Sequence, residues 1–286
     1  MQNVHFTPPQ LAQLFDVNVS TIKRWVDQGI HESQITAGGH RRITQQQLSR
    51  FSRLYPKHAR SSYVLNRLAR IPIRPESIWR GYYSELADPK GRNAESMLGR
   101  QYIAMTELPI LMDQIVGKTL EHIGNEWADG RVSIYEEHRM TFLIRQHLSR
   151  LGDLVPFRNS IKRHTALLAC VAGDQHELPL QMLALILKNR GWTTHLLGIN
   201  ISTVELLRAA QSLHPSLICL SNTYTQAKSL EYLLAVHKFA KNRHIHLWYG
   251  GRGWGKLAQV RHWSDRAVKY FDSLEAMDQA LTVLNN

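Results

Sequence analysis

Two residues whose types suit metal binding stand close together in the second half of the chain, in Asp174-Gln175-His176. An imidazole can ligate a transition metal through one ring nitrogen while a carboxylate accepts a hydrogen bond from the other. The apolar run at 166–171 is typical of a buried strand, and a helix is predicted at 178–190. Because ligands bind beyond the carboxyl ends of parallel strands, we expect His176 to offer a metal ligand there, with Asp174 setting its tautomer. The alternative is a loop or helix-capping histidine.

Small residues follow two later predicted strands. Ser221 and Thr223 come after the third strand, and Gly250 and Gly251 come after the fourth. A small hydroxyl residue and a glycine pair at neighbouring strand ends leave space for a bulky ligand.

The last part of the chain, 159–286, forms one predicted domain of alternating strands and helices. Short apolar strands separated by helices predict a parallel sheet covered on both faces, an α/β fold of the flavodoxin-like (Rossmann-like) kind. The strands are predicted at 166–171, 193–197, 217–220 and 245–249, with helices at 178–190, 203–213, 226–241 and 273–284.

The middle domain, 75–158, has a helical pattern. Its breaks, at Asp88-Pro89, Gly91, Gly117 and Gly130, most simply predict a four-helix bundle. Trp127 stands ten residues before the pair Glu137-His138, and Ile134 lies between them. Read without any family, these residues are a core tryptophan and an exposed charged helix face.

The first 74 residues carry most of the positive charge. They hold eleven Lys and Arg against three acidic residues, 11 − 3 = +8 of the chain's +12. Such a balance favours a polyanionic partner. The pattern predicts an α-helical winged helix-turn-helix: a helix from Thr7, a second helix capped by Ser20 and ending at Gly29, and a two-stranded wing at 35–43.

The second of these helices and the wing are the predicted DNA-reading elements. Side chains near the start of a recognition helix reach base edges, and cations meet phosphates. The alternative is a basic, solvated three-helix domain. The predicted DNA-binding residues are Ser20, Thr21, Lys23 and Arg24 on the helix and Gly39, His40, Arg41 and Arg42 in the wing.

Other features limit the class of protein. Cys170 and Cys219 lie in apolar runs, where reduced, buried thiols are expected. The N-terminus lacks a secretion signal and no run is long enough to span a membrane, so we expect a cytoplasmic protein without a membrane partner. We find no Ser-His-Asp, P-loop or paired-carboxylate arrangement, which favours a protein that is not an enzyme.

The first 74 residues resemble the DNA-binding domain of the MerR family of regulators. The wing reads Gly38-Gly39-His40-Arg41-Arg42, where that family has a Gly-Gly-aromatic-Arg signature. The resemblance implies binding to double-stranded DNA as a dimer.

The C-terminal domain resembles the cobalamin-binding domain of methionine synthase and related proteins. That signature is Asp-x-His-x-x-Gly, then Ser-x-Leu or Ser-x-Thr, then Gly-Gly, and here Pro179 stands in place of the first glycine. The resemblance implies that His176 is the lower axial ligand of cobalt. Proline adds bulk where the family has room for the nucleotide tail.

The three domains in this order resemble the CarH/LitR light-sensing repressors. The resemblance implies a cofactor, adenosylcobalamin, whose upper face is covered by the bundle through Trp127, Ile134, Glu137 and His138. It also implies a homo-oligomer, a dimer or a tetramer, that light disperses. Two alternatives stay open: a MerR-type regulator that has lost cobalamin and answers to another ligand or a protein partner, and a subunit of a cobalamin-dependent enzyme. Such enzymes need a substrate domain, commonly a barrel of about 250 residues, and nothing here has that size.

Overall fold

The structure is a computed structural model whose described residues fall into two compact units, 1–156 and 157–286. The residues that the structure describes are 5–9, 12, 18–29, 34–35, 41–44, 75–103, 107–155, 164–224, 228–255, 265 and 267–284.

The described residues in the N-terminal part of the first unit include a helix and a small antiparallel sheet, and residues 8–9 and 12 are helical as well. Strands β1 (His5–Phe6), β2 (Gln34–Ile35) and β3 (Arg41–Thr44) lie in the order β1-β3-β2, and α1 spans Val19–Gly29. The predicted two-stranded wing therefore has a third strand, because β1 pairs with the outer side of β3. Most of the predicted first helix, the wing residues Gly39 and His40, and the stretch 45–74 lie outside the described residues.

The start of α1 differs from the prediction. Ser20 was expected to cap this helix, but the helix begins at Val19 and the carboxamide of Asn18 takes that place. Asn18 Oδ1 accepts hydrogen bonds from Ser20 N at 3.1 Å and from Ser20 Oγ at 3.0 Å. The cap prediction was wrong by two residues because Asn and Ser are equally good caps and both precede the same apolar face.

Among the described residues after 74, the first unit has four helical segments. They are α2 (Pro75–Ala87), α3 (Ala94–Ile103), a continuous segment made of α4 (Leu108–Ile110), a π-helical stretch Leu111–Gly117 and α5 (Lys118–Ala128), and finally α6 (Ile134–Leu154). The helix break predicted at Gly117 was wrong, since this glycine has helical φ −60° and ψ −47°. A glycine in a helix interior costs only about 1 kcal/mol, which packing easily offsets.

Among the described residues of this helical region, the buried side chains are mostly apolar, and two helices share one buried polar pair. Tyr82 on α2 and His147 on α6 are both buried, and the Tyr82 hydroxyl lies 2.9 Å from His147 Nδ1. Burial lowers the pKa of His147 to about 4, because the charged imidazolium would lose its water there. The histidine is therefore neutral in the folded protein at pH 7.

The second unit is built on a five-stranded parallel sheet. Its strands lie in the order β5-β4-β6-β7-β8, which is the flavodoxin-like order. The elements are β4 (Thr165–Val171), α7 (Leu178–Asn189), β5 (Thr193–Ile201), α8 (Thr203–Leu213), β6 (Leu217–Ser221), α9 (Ser229–Lys241), β7 (His246–Gly250), α10 (Arg252–Gly255), β8 (Val268–Phe271) and α11 (Leu274–Leu284). The predicted parallel α/β sheet is confirmed.

Helices lie on both faces of this sheet, as the apolar strands require. Alternate strand residues pack with the buried faces of α8 and α9, namely Leu167, Ala169, Val171, Ile218, Leu220, Leu247 and Tyr249. The residues between them point to the opposite face, and α7 contacts β4 and β5. The sequence prediction missed β8, because Val268-Lys269-Tyr270-Phe271 is short and contains a lysine. An edge strand tolerates such a charge.

Within the described residues, no helix is both long and apolar enough to cross a membrane.

The buried His147 predicts an acid sensitivity of the folded state. Its pKa lies below the usual value in the folded protein, so below pH 6.5 the unfolded chain binds a proton that the folded chain does not. Stability is thus complete above that pH and is lost as the pH falls toward 4. Urea unfolding at pH 7 and at pH 5 gives the free energy of unfolding at each pH. Between the two, this free energy is expected to fall by about 2 kcal/mol more in the wild type than in His147→Gln.

The control for this experiment is His138→Gln, which changes an exposed histidine of the same helix. It is expected to show the wild-type dependence on pH. An equal loss in the wild type and in His147→Gln would mean that another group governs the acid response.

Candidate functional site

The candidate metal ligand His176 is held by the buried carboxylate of Asp174, in the loop between β4 and α7. Asp174 Oδ1 accepts hydrogen bonds from His176 N at 2.9 Å and from His176 Nδ1 at 2.7 Å. The His176 side chain is 46% exposed, whereas that of Asp174 is fully covered. Because an ionised carboxylate only accepts, Nδ1 carries the proton, and Nε2 keeps its lone pair free for a metal.

The Asp174 carboxylate stays ionised although it is buried. Burial alone raises the pKa of this carboxyl, but hydrogen bonds from the ring and backbone of His176 and from Thr223 N outweigh it, and the pKa lies below its usual value. The bond from Thr223 N to Asp174 Oδ2 measures 2.6 Å and comes from the loop after β6. The carboxylate therefore joins two loops at one edge of the sheet.

Two further side chains fix the same loop. Asn200 adopts a left-handed φ of 52°, accepts a hydrogen bond from Gly173 N at 2.7 Å, and donates its own N–H to Asp174 O at 3.0 Å. The Cys170 thiol donates to His176 O at 3.4 Å. Burial raises the pKa of Cys170 to about 12, so it is a thiol and not a thiolate.

The small residues at the neighbouring strand ends are packed against backbone. Ser221 is buried and aligned with Cys170 on one side and Gly250 on the other. A Cβ on Gly250 would lie 2.8 Å from Phe271 O, and one on Gly251, whose φ is +111°, would overlap Asn222 O. The packing of the chain itself therefore requires glycine at both positions. This requirement is separate from the space for a ligand that the sequence predicts.

Pro179 is accommodated without disturbing the loop. The helix α7 begins at Leu178 after Glu177, so the proline lies in the first turn, where a backbone N–H has no helical partner. The hydrogen bonds between Asp174 and His176 form with the proline in place.

The helical unit presents its four predicted cofactor contacts on the surface. Trp127 is 45% exposed and Ile134 is 62% exposed, so neither is a core residue. Ile134 and His138 lie one turn apart on α6, and His138 Nε2 lies 3.5 Å from Glu137 Oε2.

The turn between Trp127 and α6 contains several ion pairs and side-chain hydrogen bonds. Arg131 pairs with Glu126 at 2.7 Å and with Asp129 at 2.6 Å. At the start of α6, Glu136 Oε2 accepts from Ser133 N at 2.9 Å and from Ser133 Oγ at 2.6 Å. These bonds tie the turn to the end of α5 on one side and cap the start of α6 on the other.

The predicted reader helix α1 is amphipathic in the expected sense. Ile22 and Trp25 are buried, whereas Ser20, Lys23 and Arg24 are exposed and Thr21 is half-buried. Arg41 and Arg42 lie on β3, aligned with Ile35 and Gln34 of β2. The role of each of these residues in binding DNA stays a prediction.

The class of domain follows from the sheet, the Asp174–His176 pair and a family comparison. Residues 164–256 match the family model described as the B12 binding domain. A single exposed imidazole nitrogen, oriented by a buried carboxylate at the carboxyl edge of a parallel sheet, fits a group that takes one axial nitrogen ligand. The comparison supports cobalamin as that group.

Two transcriptional repressors of Myxococcus xanthus are similar to this chain. The HTH-type transcriptional repressor CarH is 29% identical over 140 residues, 49% of this chain and 46% of CarH. The HTH-type transcriptional repressor CarA is 33% identical over 106 residues, 37% of this chain and 35% of CarA. The chain thus spans less than half the length of each relative. The resemblance to a CarH-like, B12-binding regulator is confirmed by these findings.

A solved structure shares the fold. The monomethylamine corrinoid protein of Methanosarcina barkeri superposes with a TM-score of 0.57 at 8% identity, covering 74% of this chain and all of that protein. At this identity the likeness concerns the fold alone.

Sequence reasoning missed several residues of the site. Asn200 and Tyr224 stand in no motif, although both follow strands whose ends were predicted. Asn222, between the predicted Ser221 and Thr223, is buried and donates to Ser229 Oγ at 3.2 Å. The signal that could have found all three is their position within four residues after the end of a predicted strand.

The packing around Gly251 gives a direct test of the strand-end geometry. We expect Gly251→Ala to destabilise the second unit by about 2 kcal/mol or more, because the φ of +111° is strained for alanine and its Cβ would overlap Asn222 O. Gly124→Ala is the control, since no heavy atom lies within 4 Å of its Cβ position in α5. It is expected to stabilise by about 0.5–1 kcal/mol. Urea unfolding measures both, and a Gly251→Ala midpoint equal to the wild type would contradict the described loop.

Proposed function

We propose that this chain is a DNA-binding transcriptional regulator that responds to cobalamin and is not an enzyme. The observation that carries the proposal is the Asp174–His176 pair, which leaves Nε2 of the imidazole exposed within the segment that matches the B12 binding domain. The similarity to two transcriptional repressors supports the regulatory role.

The proposed cofactor contacts lie at the ends of adjacent strands and on the helical unit. His176 would donate Nε2 to cobalt, and Asp174 would keep the proton on Nδ1. Ser221, Thr223, Gly250 and Gly251 would line the crevice for the nucleotide tail. Trp127, Ile134, Glu137 and His138 would cover the upper face. When bound, adenosylcobalamin supplies a cobalt–carbon bond that light can break.

The proposed DNA interface combines α1 with the wing. Lys23 and Arg24 are exposed, with Ser20 and Thr21 beside them, while Ile22 and Trp25 anchor the helix from behind. Such an arrangement suits insertion of the helix into a major groove. In the wing, the sequence predicts close approach of the backbone at Gly39 and phosphate contacts from His40, Arg41 and Arg42, of which Gly39 and His40 lie outside the described residues.

The proposed regulation works through assembly, and its expected direction is repression. A homo-oligomer, a dimer or a tetramer, presents several readers at once, and linked binding raises their affinity through effective concentration. When the oligomer dissociates, the affinity for DNA falls and the operator is no longer occupied. Light would disperse the oligomer that adenosylcobalamin holds together.

The main alternative is a regulator of this kind that has lost cobalamin and answers to another ligand or to a protein partner. Pro179, in place of a glycine of the family signature, is the observation that favours it. A subunit of a cobalamin-dependent enzyme is the other alternative. The fold that the chain shares with a corrinoid protein is compatible with it.

The proposed cofactor site is tested by absorbance of the purified chain after incubation with adenosylcobalamin in the dark and gel filtration. The wild type is expected to carry a corrinoid with the red-shifted spectrum of imidazole ligation, because His176 Nε2 is free and oriented. His176→Ala is expected to lose that spectrum. His195→Ala, a half-buried histidine on β5, is the control and is expected to keep it.

The results distinguish the proposed cobalamin-binding regulator from its alternatives. A wild type that elutes without corrinoid would favour the regulator that has lost cobalamin. A His176→Ala spectrum like that of the wild type would remove the assigned ligand. Light scattering on the same loaded sample, before and after illumination, should show a fall in mass, and an unchanged mass would contradict the proposed response to light.

The proposed DNA interface is tested by gel shifts on a mixed-sequence duplex over a series of salt concentrations. Each phosphate contact contributes about 0.9 to the slope of log affinity against log salt, so Arg41→Ala or Arg42→Ala should make that slope shallower by about that amount. Arg208→Ala removes the same charge from an exposed position on α8 and is expected to leave the slope unchanged. Equal slopes for all variants would argue against the wing.

A further inference from the structure

The ring of His176 has an aromatic neighbour that no motif contains. Tyr224 lies three residues beyond the end of β6, and its ring centroid is 5.0 Å from that of His176 with an interplanar angle of 68°. This is an edge-to-face contact, in the range where aromatic pairs attract each other beyond their buried area. The tyrosine ring itself is 58% exposed.

The contact restrains a motion that the hydrogen bond to Asp174 leaves free. A bond from Nδ1 to Oδ1 fixes one edge of the imidazole, but the ring can still turn about the line through that bond. A second ring that meets it at a steep angle limits this turning. The bond and the ring contact together restrict the direction of the Nε2 lone pair more than either does alone.

The backbone next to Tyr224 is tied to the same carboxylate. Thr223 N donates to Asp174 Oδ2 at 2.6 Å, so the loop after β6 and the loop after β4 are joined one residue away from the ring contact. Asn222, on the other side, donates its backbone N–H to Gly250 O at 3.1 Å and accepts one from Gly253 N at 2.9 Å. Tyr224 therefore stands on a segment anchored from both sides of β6.

We propose that Tyr224 is a positioning residue that fixes the plane of the His176 ring and so aims Nε2 at the metal of the bound corrinoid. This inference rests on the proposed function. It assigns to the β6 loop a part in the axial ligation, in addition to lining the crevice.

The test is electron paramagnetic resonance of the full-length chain, labelled with ¹⁵N-histidine and loaded with unlabelled cob(II)alamin under exclusion of oxygen. An axial ¹⁵N nucleus splits the cobalt lines into doublets, whereas the unlabelled base of the cofactor gives triplets and no axial nitrogen gives single lines. The pattern thus distinguishes a histidine nitrogen from the base of the cofactor, separately from any change in DNA binding or assembly, and loss of the doublet in His176→Ala assigns it to His176.

Three variants are compared with the wild type. Tyr224→Ala removes the ring, Tyr224→Leu keeps apolar bulk without an aromatic edge, and Tyr224→Phe keeps the ring without its hydroxyl. The wild type and Tyr224→Phe are expected to give well-resolved doublets. Tyr224→Ala and Tyr224→Leu are expected to weaken or broaden the doublet and to raise the dissociation constant for cob(II)alamin about two- to tenfold, the range of one aromatic pair. Because Tyr224 is more than half exposed, these variants should fold.

The outcomes distinguish this inference from the proposed function. A wild type without a doublet would overturn the assignment of His176 as ligand, and with it the role of Tyr224, whereas triplets would still show a bound corrinoid. A wild-type doublet together with an unchanged doublet and dissociation constant in Tyr224→Ala would overturn the role of Tyr224 alone. A Tyr224→Phe variant as weak as Tyr224→Ala would also overturn it, because the hydroxyl and not the ring would then matter.

Discussion

The Asp174 carboxylate is a buried charge, and the candidate site is organised by the hydrogen bonds that make this burial tolerable. Its two oxygens accept from the His176 backbone, the His176 ring and the Thr223 backbone. A buried carboxylate without such donors would lose several kcal/mol of hydration, on the order of a large fraction of a domain's stability. The groups that orient the imidazole are therefore also the groups that keep the loop folded. For that reason the Nδ1 edge of the ring cannot leave Asp174 without leaving the buried charge short of a donor.

Strand order decides which loops can supply these donors. Because β4 lies between β5 and β6, the loops after all three strands meet at the carboxyl edge of the sheet. Asn200, near the end of β5, bonds to two adjacent residues of the β4 loop, Gly173 and Asp174, and Thr223, after β6, bonds to the Asp174 carboxylate. From β4 the chain goes first to β5 on one side and then to β6 on the other side of β4. In parallel sheets, ligands bind at the point where the strand order reverses in this way. The site thus follows from the topology and not from one motif.

The sequence was informative where a local pattern determines the result. Apolar strands followed by helices placed Asp174 and His176 at a strand end, and the buried face of α1 followed from the spacing of its apolar residues. The sequence was not informative where a contact between residues far apart in the chain determines the local structure. The contact of Tyr224 with His176 and the left-handed Asn200 depend on tertiary packing. Gly117 remains helical because its neighbours are buried against other helices, although glycine alone favours a break.

Two aromatic side chains, Trp127 and Tyr224, keep part of their surface in water. They are 45% and 58% exposed. Covering apolar surface releases about 25 cal/mol per Å², so a ligand or partner that covers either ring gains free energy from its burial. The Asp174 carboxylate has the opposite character, because its side chain is fully covered and its hydrogen bonds are already formed within the chain. A ligand can therefore gain binding free energy at the exposed rings without breaking the hydrogen bonds that orient His176.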